Sequence, residues 1–289
     1  MAKRLPVSNK FNVDNIGIVR CHTVGLDLAL PVVSLRGNDQ VLLSFDDLDG
    51  DAKDYYYTVQ LCDHDWTVSE LPTFQYLDGF ESNRFQEFNY SSNTLQPYTN
   101  YQVLLPNPDI RLTKAGNYII KVYLNDNPEE LVFTQRMYVV DNKVQVNGSV
   151  IPSNSIRFRK THQEVDFVVE HQGYPISNAF QSIEATVMQN GREDNAVMGL
   201  KPNFVRDQKL IYDYETENLF PALKEFRWVN LQSLIMLDER IKLLELFQGR
   251  NHAYVAPDPI RSYDQYVYRR DINGRFIISD QDDFDPAIN

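Results

Sequence analysis

Gly116-Asn117-Tyr118-Ile119-Ile120-Lys121-Val122-Tyr123-Leu124, then Asn125-Asp126-Asn127-Pro128, then Leu131-Val132-Phe133-Thr134-Gln135-Arg136-Met137-Tyr138-Val139-Val140: two β-prone runs joined by turn residues. This is the clearest hairpin in the chain. Upstream, Tyr55-Tyr56-Tyr57-Thr58-Val59-Gln60-Leu61-Cys62 reads as a long strand, and Ile18–Val24, Pro31–Leu35, Val41–Phe45 and Tyr101–Leu105 read as shorter ones. Polar turns such as Asp46-Asp47-Leu48-Asp49-Gly50-Asp51 separate them. The crossing from Trp66 to Asn100 is too long for a hairpin loop, so it is expected to carry short strands or to pack its own aromatics.

A completed hairpin ends at Val140, which puts a domain boundary at Asp141-Asn142-Lys143, with domains 1–142 and 143–289. In the second half, Asn147-Gly148 is expected to turn a hairpin. Glu164–Val169 and Ile183–Gln189 alternate as strands. Leu231, Leu234, Ile235 and Ile241 fall at helical spacing, but Asp238, Lys242 and Glu245 break that stripe. Two strands, Ile241–Phe247 and His252–Val255, meeting at Gln248-Gly249-Arg250-Asn251 are the preferred reading. A last strand is expected near Ile277. The fold class is all-β, with two tandem immunoglobulin-like β-sandwich domains.

Composition limits the function classes. The 289 residues exceed one sandwich of about 100, and 17 Tyr with 16 Phe favour strands. A formal charge of −12 argues against nucleic acid, whose binding needs a basic surface. No run approaches the roughly 20 apolar residues of a membrane-spanning helix, so direct membrane insertion is not expected. Met1-Ala2-Lys3-Arg4 lacks the apolar stretch of a signal peptide. Cys21 and Cys62 could pair if their strands are neighbours, but two buried thiols are the plainer reading.

Reactive chemistry has few footholds. Cys62, His64 and Asp65 could begin a metal corner, but a second ligand cluster is missing and a strand sends Asp65 away from the other two. Asp46 with Asp47, Asp63 with Asp65, and Glu129 with Glu130 are neighbouring carboxylates of a glycosidase kind, in a chain with 40 acidic residues. Neither a Gly-x-Ser-x-Gly elbow nor a Gly-rich phosphate loop occurs. Trp66, Tyr76 and Tyr55–Tyr57 could stack on sugar rings as in a carbohydrate-binding module, although alternation sends at least one of the three tyrosines inward.

The order of motifs is more specific than any of them alone. Leu43-Ser44-Phe45-Asp46-Asp47-Leu48, Cys62-Asp63-His64-Asp65-Trp66 and Gln75-Tyr76-Leu77-Asp78-Gly79-Phe80 come first. They are followed by Tyr90–Thr94, Tyr98–Tyr101, Leu105-Pro106-Asn107, Gly116-Asn117-Tyr118, Gln189-Asn190-Gly191-Arg192, Glu225-Phe226-Arg227 and Asp271-Ile272-Asn273-Gly274. This series resembles the Bacteroidetes type IX secretion system plug protein family over nearly the whole chain. Family members tend to carry Gly-Gly-Asn before Glu-Phe-Arg, where this chain has Pro221-Ala222-Leu223-Lys224, and they usually continue into a further C-terminal β domain.

The resemblance implies a periplasmic, non-enzymatic gate without a cofactor or catalytic residue. Its partner would be the outer-membrane translocon β-barrel, whose periplasmic end it would occlude until exchanged for a substrate-loaded complex. Cys62, Asp65, Trp66, Tyr76, Gly79, Phe80, Asn190, Arg192, Glu225, Arg227, Asp271, Asn273 and Gly274 would then be structural positions. Trp66 and Tyr76 are expected to pack inward and Asp78-Gly79 to turn the chain.

Overall fold

The structure, a computed structural model, describes residues 12–159, 161–221, 229–231, 233, 235 and 237–257. It is nearly all β. Two compact units form, one of Met1–Ser92 with Pro97–Leu223 and the other of Asn93–Gln96 with Lys224–Asn289.

The first unit begins with two sheets face to face. One has the order Ile16–Thr23, Val41–Asp47, Thr99–Leu105, Glu87–Tyr90; the other runs Val32–Ser34, Leu131–Val140, Gly116–Leu124, Tyr55–Cys62, Asn83–Arg84. Period-two alternation decides what each sheet buries. Val41, Leu43 and Phe45 point inward from one sheet, and Tyr55, Tyr57, Val59 and Leu61 from the other. Phe45 is the hub, with ring centroids 4.9 Å from Tyr55 and 5.1 Å from Phe133 across the core. Such edge-to-face pairs add about 0.5–1.5 kcal/mol each beyond area burial.

The quoted hairpin forms as read, with Asn117 opposite Tyr138 and Val122 opposite Phe133. Asn125 and Asp126 supply two left-handed residues, φ 56° and 54°, at its turn, the backbone twist that suits a tight hairpin. The long crossing does carry short strands. Asn83–Arg84 adds to the edge of the Tyr55–Cys62 strand and Glu87–Tyr90 to that of Thr99–Leu105, so the crossing closes one edge on each sheet. Cys21 and Cys62 lie in opposite sheets and both thiols are free.

Asp47 occupies an inward position at the end of its strand, with no side-chain surface left to water. Burial would raise its pKa, but Lys53 Nζ at 2.8 Å, the Asp49 N–H, Tyr55 OH and Asn15 Nδ2 outweigh it, and the carboxyl is held below its ordinary value. Asp46, its neighbour, faces the other way and accepts from Asn100 Nδ2. The two carboxylates therefore do not converge as an acid–base pair.

A second, smaller core follows in the same unit. Gln145–Pro152, His162–Glu170, Lys209–Tyr212 and Phe204–Arg206 form a sheet, with Leu219–Pro221 also paired to His162–Glu170, and Ala185–Val187 pairs with Val197–Leu200. Phe167, Ala179, Leu200, Leu210 and Tyr212 fill the space they enclose. One turn expectation fails and one strand is shorter than expected. Asn147-Gly148 lies inside the Gln145–Pro152 strand, opposite Val168 and Phe167, because a full-length partner strand supplies its ladder. Only Ala185–Val187 of the alternating run from Ile183 to Gln189 is strand, after a short helix at Ala179–Ser182.

In the second unit, Ile241–Phe247 and Arg250–Val255 pair as a hairpin, turning at Gln248 (φ 50°) and Gly249 (φ 77°). The last expected strand, near Ile277, lies outside the described residues, as do Glu225, Arg227, Asp271, Asn273 and Gly274.

Candidate functional site

The corner after Cys62 is built by local hydrogen bonds. The Asp65 side chain accepts from the Thr67 N–H and hydroxyl at 3.0 and 2.6 Å, and the Asp63 N–H reaches Thr67 O at 2.8 Å. This loop forces Trp66 into the left-handed region, φ 68°, at a cost of roughly 1–2 kcal/mol for a residue with a Cβ. Packing must offset that cost.

Trp66 is 7% exposed. Its indole meets Tyr138 edge-on at 5.3 Å, and the Arg136 guanidinium sits 4.0 Å over its ring. Arg136 and Tyr138 share the outer face of the Leu131–Val140 strand, whose inner face carries Met137 and Val139. Arg136 is 4% exposed and its Nη1 lies 3.1 Å from Glu193 Oε1. A desolvated cation over an indole is worth about 2 kcal/mol, and the carboxylate balances a charge that water cannot reach.

Glu193 follows the turn Gln189-Asn190-Gly191-Arg192. Asn190 and Gly191 both have positive φ, 56° and 70°, and the Arg192 N–H closes the turn on Gln189 O at 2.9 Å. Arg192 itself turns to Asp194, its Nε donating at 2.9 Å. The motif at residues 62–66 and that at 189–192, far apart in sequence, thus meet through Arg136 and Glu193. A second link lies beside it: His64 Nε2 is 3.3 Å from Glu184 Oε2, and Lys201 Nζ is 2.9 Å from Glu184 Oε1. The corner is a seam between the first sandwich and the second, smaller core of this unit.

The other positions separate. Tyr76 is buried against Tyr118, 6.1 Å between ring centroids. Gly79 does not turn the chain as expected. It pairs with Ile110 in a two-stranded ribbon, at φ 130°, so close that an added Cβ would come 2.0 Å from Asp109 O. Only glycine fits such an approach. Phe80 points to solvent, 66% exposed.

Each chemical reading of the corner meets this geometry. A sugar platform needs open ring faces, yet Tyr55, Tyr57, Trp66 and Tyr76 are all buried. Cys62 is buried, His64 is turned to Glu184 and Asp65 to Thr67, so the three do not share a centre. Arg136, Glu193, Glu184 and Lys201 went unnoticed in the sequence. The available signal was Arg136, a lone cation in the middle of an apolar strand.

The comparisons agree with the motif order. The family model for the type 9 secretion system plug protein 1st domain matches residues 16–141. The chain is also similar to the crystal structure of a hypothetical protein from Parabacteroides merdae ATCC 43184. That likeness has 30% identity and a TM-score of 0.87, and it covers 96% of this chain and 70% of the other. Residues 16–141 of this chain belong to the type 9 secretion system plug family. No curated protein matches it significantly. Within the plug family match lie the corner, Trp66 and Arg136; Glu184, Glu193 and Lys201 lie beyond it. The plug family is a structural component of secretion, so a role in that system follows for this chain.

Proposed function

We propose that this chain is a non-enzymatic plug that occludes the periplasmic end of the outer-membrane translocon barrel of the type IX secretion system. The observation that carries this reading is the match of its first sandwich to the plug family. Occlusion needs a stiff body with a wide contact surface, ordinarily above ~1,000 Å² in total, and no reactive pocket. A salt-bridged seam with a buried arginine supports stiffness between the first sandwich and the second core. The strand Gln145–Pro152 supports contact: among the described residues it pairs only with His162–Glu170, it is exposed nearly throughout, and it carries no charged side chain. Such an edge suits addition of a partner strand.

In this reading the protein works in the periplasm against the outer membrane and leaves its partner by exchange with a substrate-loaded complex, not by hydrolysis. The chain divides at residue 142 into domains 1–142 and 143–289, and limited proteolysis of the 141–144 link tests that division. Cys62, Asp65, Trp66, Tyr76, Gly79, Phe80, Asn190 and Arg192 act as structural positions. Affinity purification of the tagged, full-length protein from envelope extracts tests the function. A large outer-membrane barrel should co-purify, and deletion should make the outer membrane leaky to large antibiotics only while the translocon is present. If no barrel co-purifies and permeability is unchanged, the plug reading fails.

A further inference from the structure

Among the described residues the Gln145–Pro152 strand has one free edge, and the direction of its backbone groups can be read from its neighbour. Val165, in the adjacent strand, donates its N–H to Asn218 O at 3.3 Å and accepts at its carbonyl from Asn218 Nδ2 at 2.5 Å. Both main-chain groups therefore point away from Val150, the residue opposite. In an antiparallel ladder this makes Val150 and Val165 a pair without mutual hydrogen bonds, so the Val150 N–H and C=O point outward from the free edge. The bond from the Ser153 N–H to His162 O, 3.3 Å, fixes the same alternation from the strand's far end. Two-residue periodicity carries it to Gly148 and Val146.

Exposed edges are ordinarily blunted by charge, a bulge or short length. This edge has eight residues in unbroken register with its neighbour and carries no Lys, Arg, Asp or Glu. Its outward residues also present apolar surface. Val146, Gly148 and Val150 lie opposite Val169, Phe167 and Val165 and so share their face of the sheet. Those partners pack into the second core, whereas Val146 and Val150 extend past its rim, 61% and 62% exposed.

We propose that this edge pairs, antiparallel, with the same edge of a second copy of the chain, about a two-fold axis at Gly148. An isologous contact needs a strand that complements itself reversed. About Gly148 this one does: Val146 meets the second copy's Val150 and Val150 its Val146, Asn147 meets Ser149, and Gln145 meets Ile151. Outward residues then oppose outward residues, and each such pair exchanges both hydrogen bonds. A slip of one residue would set outward groups against inward ones. A slip of two, in either direction, would set a valine against Gly148. In the centred register the valines of both copies close over the paired glycines.

Charge favours the same occupant. A formal charge of −12 makes two copies repel over most of their surfaces, and this uncharged strand lets them meet without opposed like charges. Reversal also carries Arg157 and Arg159, exposed beyond Pro152, toward the end of the second copy's strand that follows Asp141. An edge this short buries less than the roughly 1,600 Å² of a standard interface, so the dimer is weak and concentration-dependent. The inference stands apart from the plug reading, which a monomer would leave in place. A strand added by another protein and a second copy would compete for the same N–H and C=O groups.

Sedimentation equilibrium of the full-length chain from about 5 to 500 µM is the test. The average mass should rise from monomer toward dimer, with a dissociation constant between ~1 µM and ~1 mM. Val150→Lys, at an exposed position, should keep the parent's melting temperature at low concentration while weakening the dimer roughly tenfold or more, because the two-fold brings two lysines into the contact. Gly148→Cys reads the register. A Cβ there meets nothing closer than 3.6 Å, and the two-fold sets residue 148 opposite itself at a Cα separation of about 5.5 Å, within disulfide reach. Oxidised glutathione should link copies of this variant, whereas Asn147→Cys, on the other face and not opposite itself, should link no more than the parent with its free Cys21 and Cys62. A mass that stays monomeric up to about 500 µM, a dimer indifferent to Val150→Lys, or equal cross-linking of Gly148→Cys and Asn147→Cys overturns the proposal.

Discussion

Replacing Glu193 with alanine takes away a carboxylate 3.1 Å from a guanidinium that is 4% exposed. Breaking a buried ion pair on one side costs about 3–5 kcal/mol. Here the figure sits lower. Glu193 keeps about a fifth of its side-chain surface in water, and Arg136 retains the Trp66 ring and further contacts. A loss of about 2 kcal/mol is expected, or roughly 4–8 °C in melting temperature for a unit of this size. The assay is urea unfolding followed by Trp66 emission in a Trp228→Phe background. The decisive arm is the double substitution Arg136→Met with Glu193→Leu. Apolar side chains of similar size in place of a buried pair are often neutral, so the double variant should recover at least half of the single variant's loss. A Glu193→Ala change within about 0.5 kcal/mol of the parent would mean that the pair is only a surface contact. A double variant worse than the single one would mean that the charge itself, not its isolation, holds the seam.

Three further outcomes follow from the packing. Gly79→Ala should cost about 3 kcal/mol or more and lower the soluble yield, because both the 2.0 Å approach to Asp109 O and the positive φ oppose a Cβ; a melting temperature within a degree or two of the parent would refute it. Asp47→Asn should cost about 3 kcal/mol at pH 7, since a fully buried carboxylate loses its charge-assisted bonds to Lys53 and Tyr55. The folded pKa of Asp47 is depressed, so its contribution is present above the unfolded value of about 3.9 and is lost as pH falls through the folded one. Urea midpoints of parent and variant should therefore converge only below about pH 4, and a gap unchanged down to pH 2 would count against the network. Phe80→Ser, at a ring 66% exposed, should change stability by less than about 0.5 kcal/mol.

What could be read from the sequence followed the range of the interactions involved. The Tyr55–Cys62 and Leu131–Val140 strands were legible because a sheet covered by a core prints its alternation onto the chain. Asn147-Gly148 was misread for a related reason. The pair favours a turn only where both residues can take positive φ with no better partner, and the His162–Glu170 strand gave it one. Where no such partner exists, Asn190-Gly191 and Gln248-Gly249 do turn. Asp78-Gly79 shows the other face of glycine: it was kept for a close approach, which only the position of Asp109 reveals.

The seam was illegible because its partners belong to different layers and neither is unusual alone. Glu193 is one acid among many in an acidic chain, and Arg136 is a single cation in an apolar strand. The corner nevertheless marked the place. Trp66 holds a left-handed backbone conformation that costs energy, and such strain persists only where surrounding contacts over-determine it. Those contacts are Arg136, Tyr138 and, through Arg136, the Glu193 that follows the Gln189–Arg192 turn. The stretch that offered residues for a metal corner and a sugar platform is therefore the one that fixes the first sandwich against the second core. For a protein proposed to close a pore, resistance to bending at that seam is the property on which the corner's chemistry acts.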